Sequence, residues 1–224
     1  MVGNELTQQN QNCVVVLSGG PDSVTTAYWA KQQGYNVYAL TCKYGQIASK
    51  EIEYAQLIAK KLNITLKVID LSSLREIYMG VTSVCDENIT MTGDFSQPII
   101  VPFRNAIFLS VAVAYAASVD AKKIFYGAHG SDAPFYPDCR PAFYKSFEET
   151  ARLGTDDDLS IQAPFSGGPK SEIIRKGAEL GVPFELTWSC YFGGEKHCGQ
   201  CESCMNRKHA FEVAQIPDPT EYEV

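Results

Sequence analysis

Two familiar nucleotide-binding signatures are missing from this chain of 224 residues, and so is any apolar run long enough to cross a membrane. There is no G-x-G-x-x-G after a strand and no Walker loop ending in Gly-Lys-Ser/Thr. That sets aside the usual dinucleotide fold and a loop built for γ-phosphoryl transfer. Basic charge is scarce: 19 Lys and Arg stand against 26 Asp and Glu, a formal net charge of −7. An extended nucleic-acid surface needs clustered cations, so none is expected. The opening MVGNELTQQNQN lacks the basic-then-apolar order of a secretory signal and reads as a polar, poorly ordered lead-in over 1–12. Internal repeats are absent, and no composition break marks a second large domain.

Apolar material is plentiful. With 45% hydrophobic and 20% charged residues, the chain can build a substantial core. CVVVL (13–17) is a continuous β-branched run that ends at a Gly-Gly turn, as a buried strand would. A helix is expected over 22–33, a strand over 35–45, a helix over 47–62 and a strand over 65–71. Strand, helix, strand, helix, strand implies right-handed crossovers and an α/β doubly wound parallel sheet. Beyond it, residues 85–98 look like a loop or lid, and 104–119 form a helix apolar nearly all round, expected to be largely buried. A fourth strand (123–129), a helix (142–152), a short strand (161–163) and a helix (170–180) complete a nucleotide-binding unit over 1–185. A cysteine-bearing segment over 186–224, with a final helix, follows.

The SGGPDS turn (18–23) lies where the first strand hands over to the first helix, the end of a parallel sheet where ligands bind. Gly19 and Gly20 let several backbone N–H groups aim at one anion with a helix N-terminus behind them, and Ser18 and Ser23 add hydroxyls. Asp22 is suited either to orient a Mg²⁺ ion or to cap the helix. In CYFGGEKHCGQCESC, Cys190, Cys198, Cys201 and Cys204 are spaced C-x7-C-x2-C-x2-C, which suits a closed tetrahedral Zn²⁺ site of structural role. An iron–sulfur cluster is the rival occupant. The other four cysteines (Cys13, Cys42, Cys85, Cys139) are scattered, so reduced thiols and a cytoplasmic location are expected rather than disulfides. Cys139 has no base in its sequence neighbourhood and reads as a packed thiol, while His197 is expected to face solvent.

The strand–SGGxDS–helix string resembles the pyrophosphate loop of the adenine nucleotide alpha-hydrolase superfamily, the N-type ATP pyrophosphatases. Together with the cysteine segment, VVVLSGGPDS, YALTCKYGQ, VPFRNAIFLSVAVAYA, YPDCRPAFY and KSEIIRKGAELGVPFELTWSCY resemble the 7-cyano-7-deazaguanine synthase family over roughly 14–217. The resemblance implies an ATP-dependent ligase that joins ammonia to 7-carboxy-7-deazaguanine through adenylated intermediates, in queuosine and archaeosine precursor biosynthesis. It implies an ATP site of Leu17, Ser18, Gly19, Gly20, Pro21, Asp22, Ser23, Val24, Thr25, Thr26 and Ala27, with Lys170 as second phosphate contact. Catalytic roles fall on Asp22, Lys170, Arg104 and Asp138, substrate contacts on Tyr44, Gln46, Asn105 and Arg140, and zinc ligation on the four clustered cysteines. Asp138 is open to two uses, the guanidine-like edge of the base or pairing with Arg140. Phe103 stands where the family has glycine and Phe135 where small residues are common, which bears on backbone geometry and pocket size. A homodimer is implied as well. The alternatives are a ligase joining a deazaguanine to another amine or a protein, a tRNA-modifying ATP pyrophosphatase, and a zinc-binding interaction module on a degenerate nucleotide fold.

Overall fold

The computed structural model describes residues 11–90 and 99–224. Strands β1 (Asn12–Val16), β2 (Asn36–Lys43), β3 (Thr65–Asp70), β4 (Lys123–Phe125) and β5 (Ser160–Gln162) pair in the order β3-β2-β1-β4-β5, every pair parallel. The α-helices among the described residues are α1 (Pro21–Gln32), α2 (Lys50–Leu62), α3 (Arg75–Tyr78), α4 (Arg104–Ser118), α5 (Pro141–Thr155), α6 (Lys170–Glu179) and α7 (Glu202–Ala214). Both sheet faces are covered. Cys13, Val15 and Leu17 alternate onto the face packed with Val24, Ala27, Ile58, Ile174 and Phe211. Val14 turns to the opposite face, with Leu109, Ala112, Ile124 and Leu159. Burial on both faces is why the central strand reads as an unbroken apolar run instead of an alternating one.

From β1 the chain steps outward to β2 and β3, then returns past β1 to lay down β4 and β5. The two connections leaving β1 and β4 therefore diverge, and a crevice opens between them at the carboxyl ends of the strands. Glycine makes the approach close enough. A Cβ on Gly127, just after β4, would stand 2.8 Å from the Ser23 nitrogen, so the β4 exit and the first turn of α1 touch through bare backbone.

Several expectations need adjustment. Asn12 already pairs with Asn36 in β1, so the lead-in stops short of it; residues 1–10 lie outside the described residues, as do 91–98 of the expected lid. The fourth strand ends at Phe125, because Gly127 and the residues after it leave the sheet to form the crevice wall. Helix α4 buries one stripe only, Ala106, Leu109, Ala112 and Ala116, while Val111, Val113 and Tyr115 are half-buried: a second layer covers it on the sheet side alone. Helix α7 joins the main core through Ala210, Phe211 and Ala214. Among the described residues no helix is long and apolar enough to cross a membrane.

Candidate active site

The turn after β1 is held by its own hydroxyls. Ser18 N donates to Ser23 Oγ (3.1 Å), Ser23 Oγ to the Gly20 carbonyl (3.1 Å), and Gly20 N to Ser18 Oγ (3.3 Å). Gly19 takes φ +88°, and a Cβ there would sit 2.4 Å from the Glu51 carbonyl, so glycine is required where the turn meets α2. Pro21 opens α1 at its first position, where a missing N–H costs nothing. The result is a rigid, N–H-lined turn at a helix N-terminus, suited to an anion.

Lys170, the first residue of α6, reaches this turn from 148 positions away: its Nζ donates to Asp22 Oδ2 at 2.9 Å. Burial opposes charge on both partners, yet their mutual attraction prevails, lowering the Asp22 pKa and raising that of Lys170. Asp22 Oδ1 is buried with no hydrogen-bond partner among the described residues. His129 Nε2 stands 3.9 Å from it and 3.3 Å from Asp132 Oδ2.

Opposite the turn, Arg104 begins α4 beneath a cavity of about 210 Å³. Its Nη1 donates to the Tyr44 hydroxyl (3.1 Å) and its guanidinium lies over the Tyr44 ring, with Tyr136 and Tyr191 nearby. Among the described residues no carboxylate is within ion-pair distance of it. Glu51 lines the same cavity; desolvation pushes its carboxyl up to about 7, against the pull of Arg104 and a hydrogen bond from Gln46. Glu202, the first residue of α7, lines it too, accepting from Tyr191 Oη at 3.0 Å and from Asn206 Nδ2. Burial raises the Glu202 pKa, partly offset by the Tyr191 hydrogen bond. One cation, protonatable carboxyls and tyrosine hydroxyls thus face an anion-binding turn across a space fit for a small polar molecule.

The predicted residues divide cleanly. Leu17, Ser18, Gly20, Pro21, Asp22, Ser23, Tyr44, Arg104, Asn105 and Lys170 line the cavity. Gly19 shapes the turn from behind, Val24 and Ala27 pack in the core, and Thr25 meets Gly177 of α6. Thr26 Oγ1 donates to the Asp22 carbonyl at 2.9 Å. Gln46 secures its own turn by accepting from Tyr44 N (2.8 Å). Asp138 accepts from Asn105 N (2.9 Å), holding the first turn of α4, and no ion pair joins it to Arg140, whose guanidinium donates to the Ala133 and Pro134 carbonyls. Cys139 is buried, its thiol pushed up to about 12 chiefly by burial, consistent with a packed thiol. Phe103 and Phe135 are exposed and neither lines this cavity. Sequence reasoning missed Glu51, His129, Asp132, Tyr191 and Glu202. Only the acidic residue opening α7 beside the cysteines carried any signal in the sequence.

At the C-terminal end, Cys190, Cys198, Cys201 and Cys204 place their sulfurs within 4.8 Å of one another, a cluster able to hold one metal ion. Backbone amides of Phe192 and Cys198 point at Cys190 Sγ, and those of Gln200 and Cys201 at Cys198 Sγ, at 3.2–3.4 Å. Such donors suit thiolates. All eight cysteines are free. His197 is not solvent-facing: it is buried against Trp188 (4.2 Å between ring centroids), and Nε2 accepts from Ser189 N at 3.0 Å. Burial, aided by Arg207, pushes its pKa down to about 4, so it is neutral and able to accept. The segment meets the anion turn directly, since Trp188 N donates to the Gly19 carbonyl at 2.9 Å.

Comparison with known proteins places this arrangement. The family described as queuosine biosynthesis protein QueC matches residues 12–215. A 7-cyano-7-deazaguanine synthase of Caldicellulosiruptor bescii is 44% identical over 94% of this chain and 97% of its own length. One from Pseudoalteromonas translucida is 41% identical over 95% and 99%. In fold, the chain resembles an NMN synthetase of Francisella tularensis, with a TM-score of 0.55 at 17% identity over 93% of this chain and 78% of that one. It also resembles an NH3-dependent NAD synthetase of Campylobacter jejuni, with a TM-score of 0.50 at 22% identity over 80% and 68%. These two likenesses speak to fold alone.

Proposed function

The chain belongs to the queuosine biosynthesis protein QueC family, and from that premise we propose that it is an ATP-dependent 7-cyano-7-deazaguanine synthase acting on 7-carboxy-7-deazaguanine and ammonia. The observation that carries the reading is the convergence, in one cavity, of the serine–glycine turn, Lys170 and an Arg104 with no carboxylate partner among the described residues. The turn and Lys170 hold the pyrophosphate that leaves, and Arg104 holds the substrate carboxylate beside Tyr44. A carboxylate oxygen attacks the α-phosphorus of ATP, pyrophosphate departs, and an acyl adenylate forms. Ammonia adds to the acyl carbon and AMP leaves, giving the amide. The amide oxygen then attacks the α-phosphorus of a second ATP, a second pyrophosphate departs, and loss of AMP with the two remaining N–H protons gives the nitrile. Carboxylate and amide oxygens are poor leaving groups and AMP is a good one, so the protein's task is positioning and charge neutralisation.

The unpartnered, buried Asp22 Oδ1 fits a Mg²⁺ ion, which would offset charge on the phosphates. For the cysteine cluster the fitting occupant is zinc, which Cys190, Cys198, Cys201 and Cys204, with sulfurs within 4.8 Å of one another, would hold. Four thiolate ligands would leave no position for a reacting water, so the ion would serve to hold the segment that carries Trp188 and Glu202. Asp138 positions Asn105 and Arg104 through the helix amide. A homodimer and a cytoplasmic location belong to the same proposal. The test is AMP and pyrophosphate release from ATP. Release should require 7-carboxy-7-deazaguanine and give two AMP per nitrile; ADP as product, or release indifferent to that acid, would overturn the proposed activity.

A further inference from the structure

A second cavity, of about 240 Å³, lies behind the first, between α6 and α7, with Ser131, Ser171, His209 and Val213 in its wall. Asp132, Lys170 and Asn206 line both cavities, so these three side chains form the partition. Their charges are unequal in availability. Asp22 Oδ2 takes Lys170 at 2.9 Å, whereas among the described residues Asp132 has one partner within ion-pair distance, His129 Nε2, at 3.3 Å from Oδ2. Asp132 is therefore the surplus carboxylate of the partition, with one oxygen beside the imidazole. His129 is itself buried, and its Nδ1 has no partner among the described residues.

Resting on the proposed function, we propose that the second cavity is the entry for ammonium and that Asp132 is the base that converts it to ammonia at the partition. The reaction requires such a base, because the nitrogen arrives at neutral pH mostly as a cation whose lone pair is occupied by a proton. One N–H bond of ammonium breaks and its proton passes to the Asp132 carboxylate. The nitrogen keeps the electron pair and attacks the acyl carbon. The C–O bond to AMP then breaks with its electrons on the phosphate oxygen, and a second proton leaves the nitrogen after addition. The first proton returns to solvent through the second cavity. Burial raises the proton affinity of Asp132 above that of an ordinary carboxylate, opposed by His129 and Lys170, which suits it to the task.

Hydroxylamine separates this role from a structural one, since it is already neutral at neutral pH and needs no base to expose its lone pair. In Asp132→Asn, ammonium-dependent turnover should fall about 10²–10⁴-fold, and hydroxylamine-dependent turnover far less. Equal losses with both nucleophiles would overturn the proposal. Val213→Trp, which fills the second cavity from the α7 surface, should raise KM for ammonium several-fold with KM for ATP unmoved; an unchanged KM for ammonium would refute the entry route even if Asp132→Asn does not fold. Pyrophosphate release by the wild type with 7-carboxy-7-deazaguanine reports on the parent reading separately. No release sinks that reading, whereas release with unaltered nucleophile selectivity in the variants sinks only the role of Asp132.

Discussion

Two arginines show how this molecule divides structure from chemistry. Arg207, fully buried in α7, has every arm engaged: Nε with Asp218 (3.2 Å), Nη1 with Thr187 (2.7 Å) and Ser189, and Nη2 with the Phe184 carbonyl (3.0 Å). Arg104 is a half-buried cavity wall, hydrogen-bonded to a tyrosine and flanked by aromatic rings. A saturated guanidinium serves as a joint, here tying α7 and the cysteine segment to the 184–189 loop. A guanidinium with donors to spare is a binding group, because a desolvated cation facing a cavity is costly until an anion arrives.

The sharpest way to break the contrast is to delete each cation. Arg207→Met strands Asp218 in a partly buried site and should lower unfolding free energy by about 3–5 kcal/mol in urea titrations, with turnover per folded molecule holding. Adding Asp218→Asn should recover part of that loss. Arg104→Met should do the reverse: kcat/KM down about 10²–10³-fold, and stability within about 1 kcal/mol of the parent. If Arg104→Met unfolds the protein as Arg207→Met does, the distinction fails.

Proton linkage sharpens the same comparison. Glu51 has a folded pKa of about 7, above its unfolded value, so the fold favours its protonated form. That stabilisation is complete below about pH 4 and is lost as pH rises toward 7. Glu51→Gln should therefore be more stable than the parent at pH 8 by about 1–3 kcal/mol, with the difference shrinking toward pH 5. Asp218 behaves oppositely. Although its burial opposes ionisation, Arg207 and the Tyr222 hydroxyl lower its pKa, and the stabilisation is lost only as pH falls through the carboxylate range. The smallest expected effect is at Phe103, which opens α4 at φ +59°, a left-handed conformation glycine takes freely. Phe103→Gly should stabilise by about 1 kcal/mol and leave KM values alone, since the ring faces Phe143 outside the cavity.

Local features were legible in the sequence. The unbroken run of β1, the turn after it and the cysteine spacing each write their chemistry into adjacent residues. Lys170 was legible through resemblance, and the structure brings it onto Asp22. What stayed hidden is what convergence creates. Glu51 sits in an amphipathic helix as any exposed glutamate would, and only the closure of α2 over Gly19 turns it into a cavity wall. Asp132 lies in a loop whose partner groups come from the turn after β4, from α1 and from α6. His197 reads as one polar residue among glycines and lysines, yet Trp188 and Tyr222 enclose it from both sides. Helix α4 has the composition of a buried helix, and no pattern in it says that one side lacks a covering layer.

The central claim is that the carboxylate held by Arg104 is activated by transfer to the α-phosphorus of ATP. The direct test uses 7-carboxy-7-deazaguanine labelled with ¹⁸O in both carboxylate oxygens, followed by mass analysis of the nucleotides and the deazaguanine product. Both labels should end in AMP, one in each of the two AMP molecules released per nitrile, with none in pyrophosphate. Label appearing in water or in a phosphate other than that of AMP would contradict it.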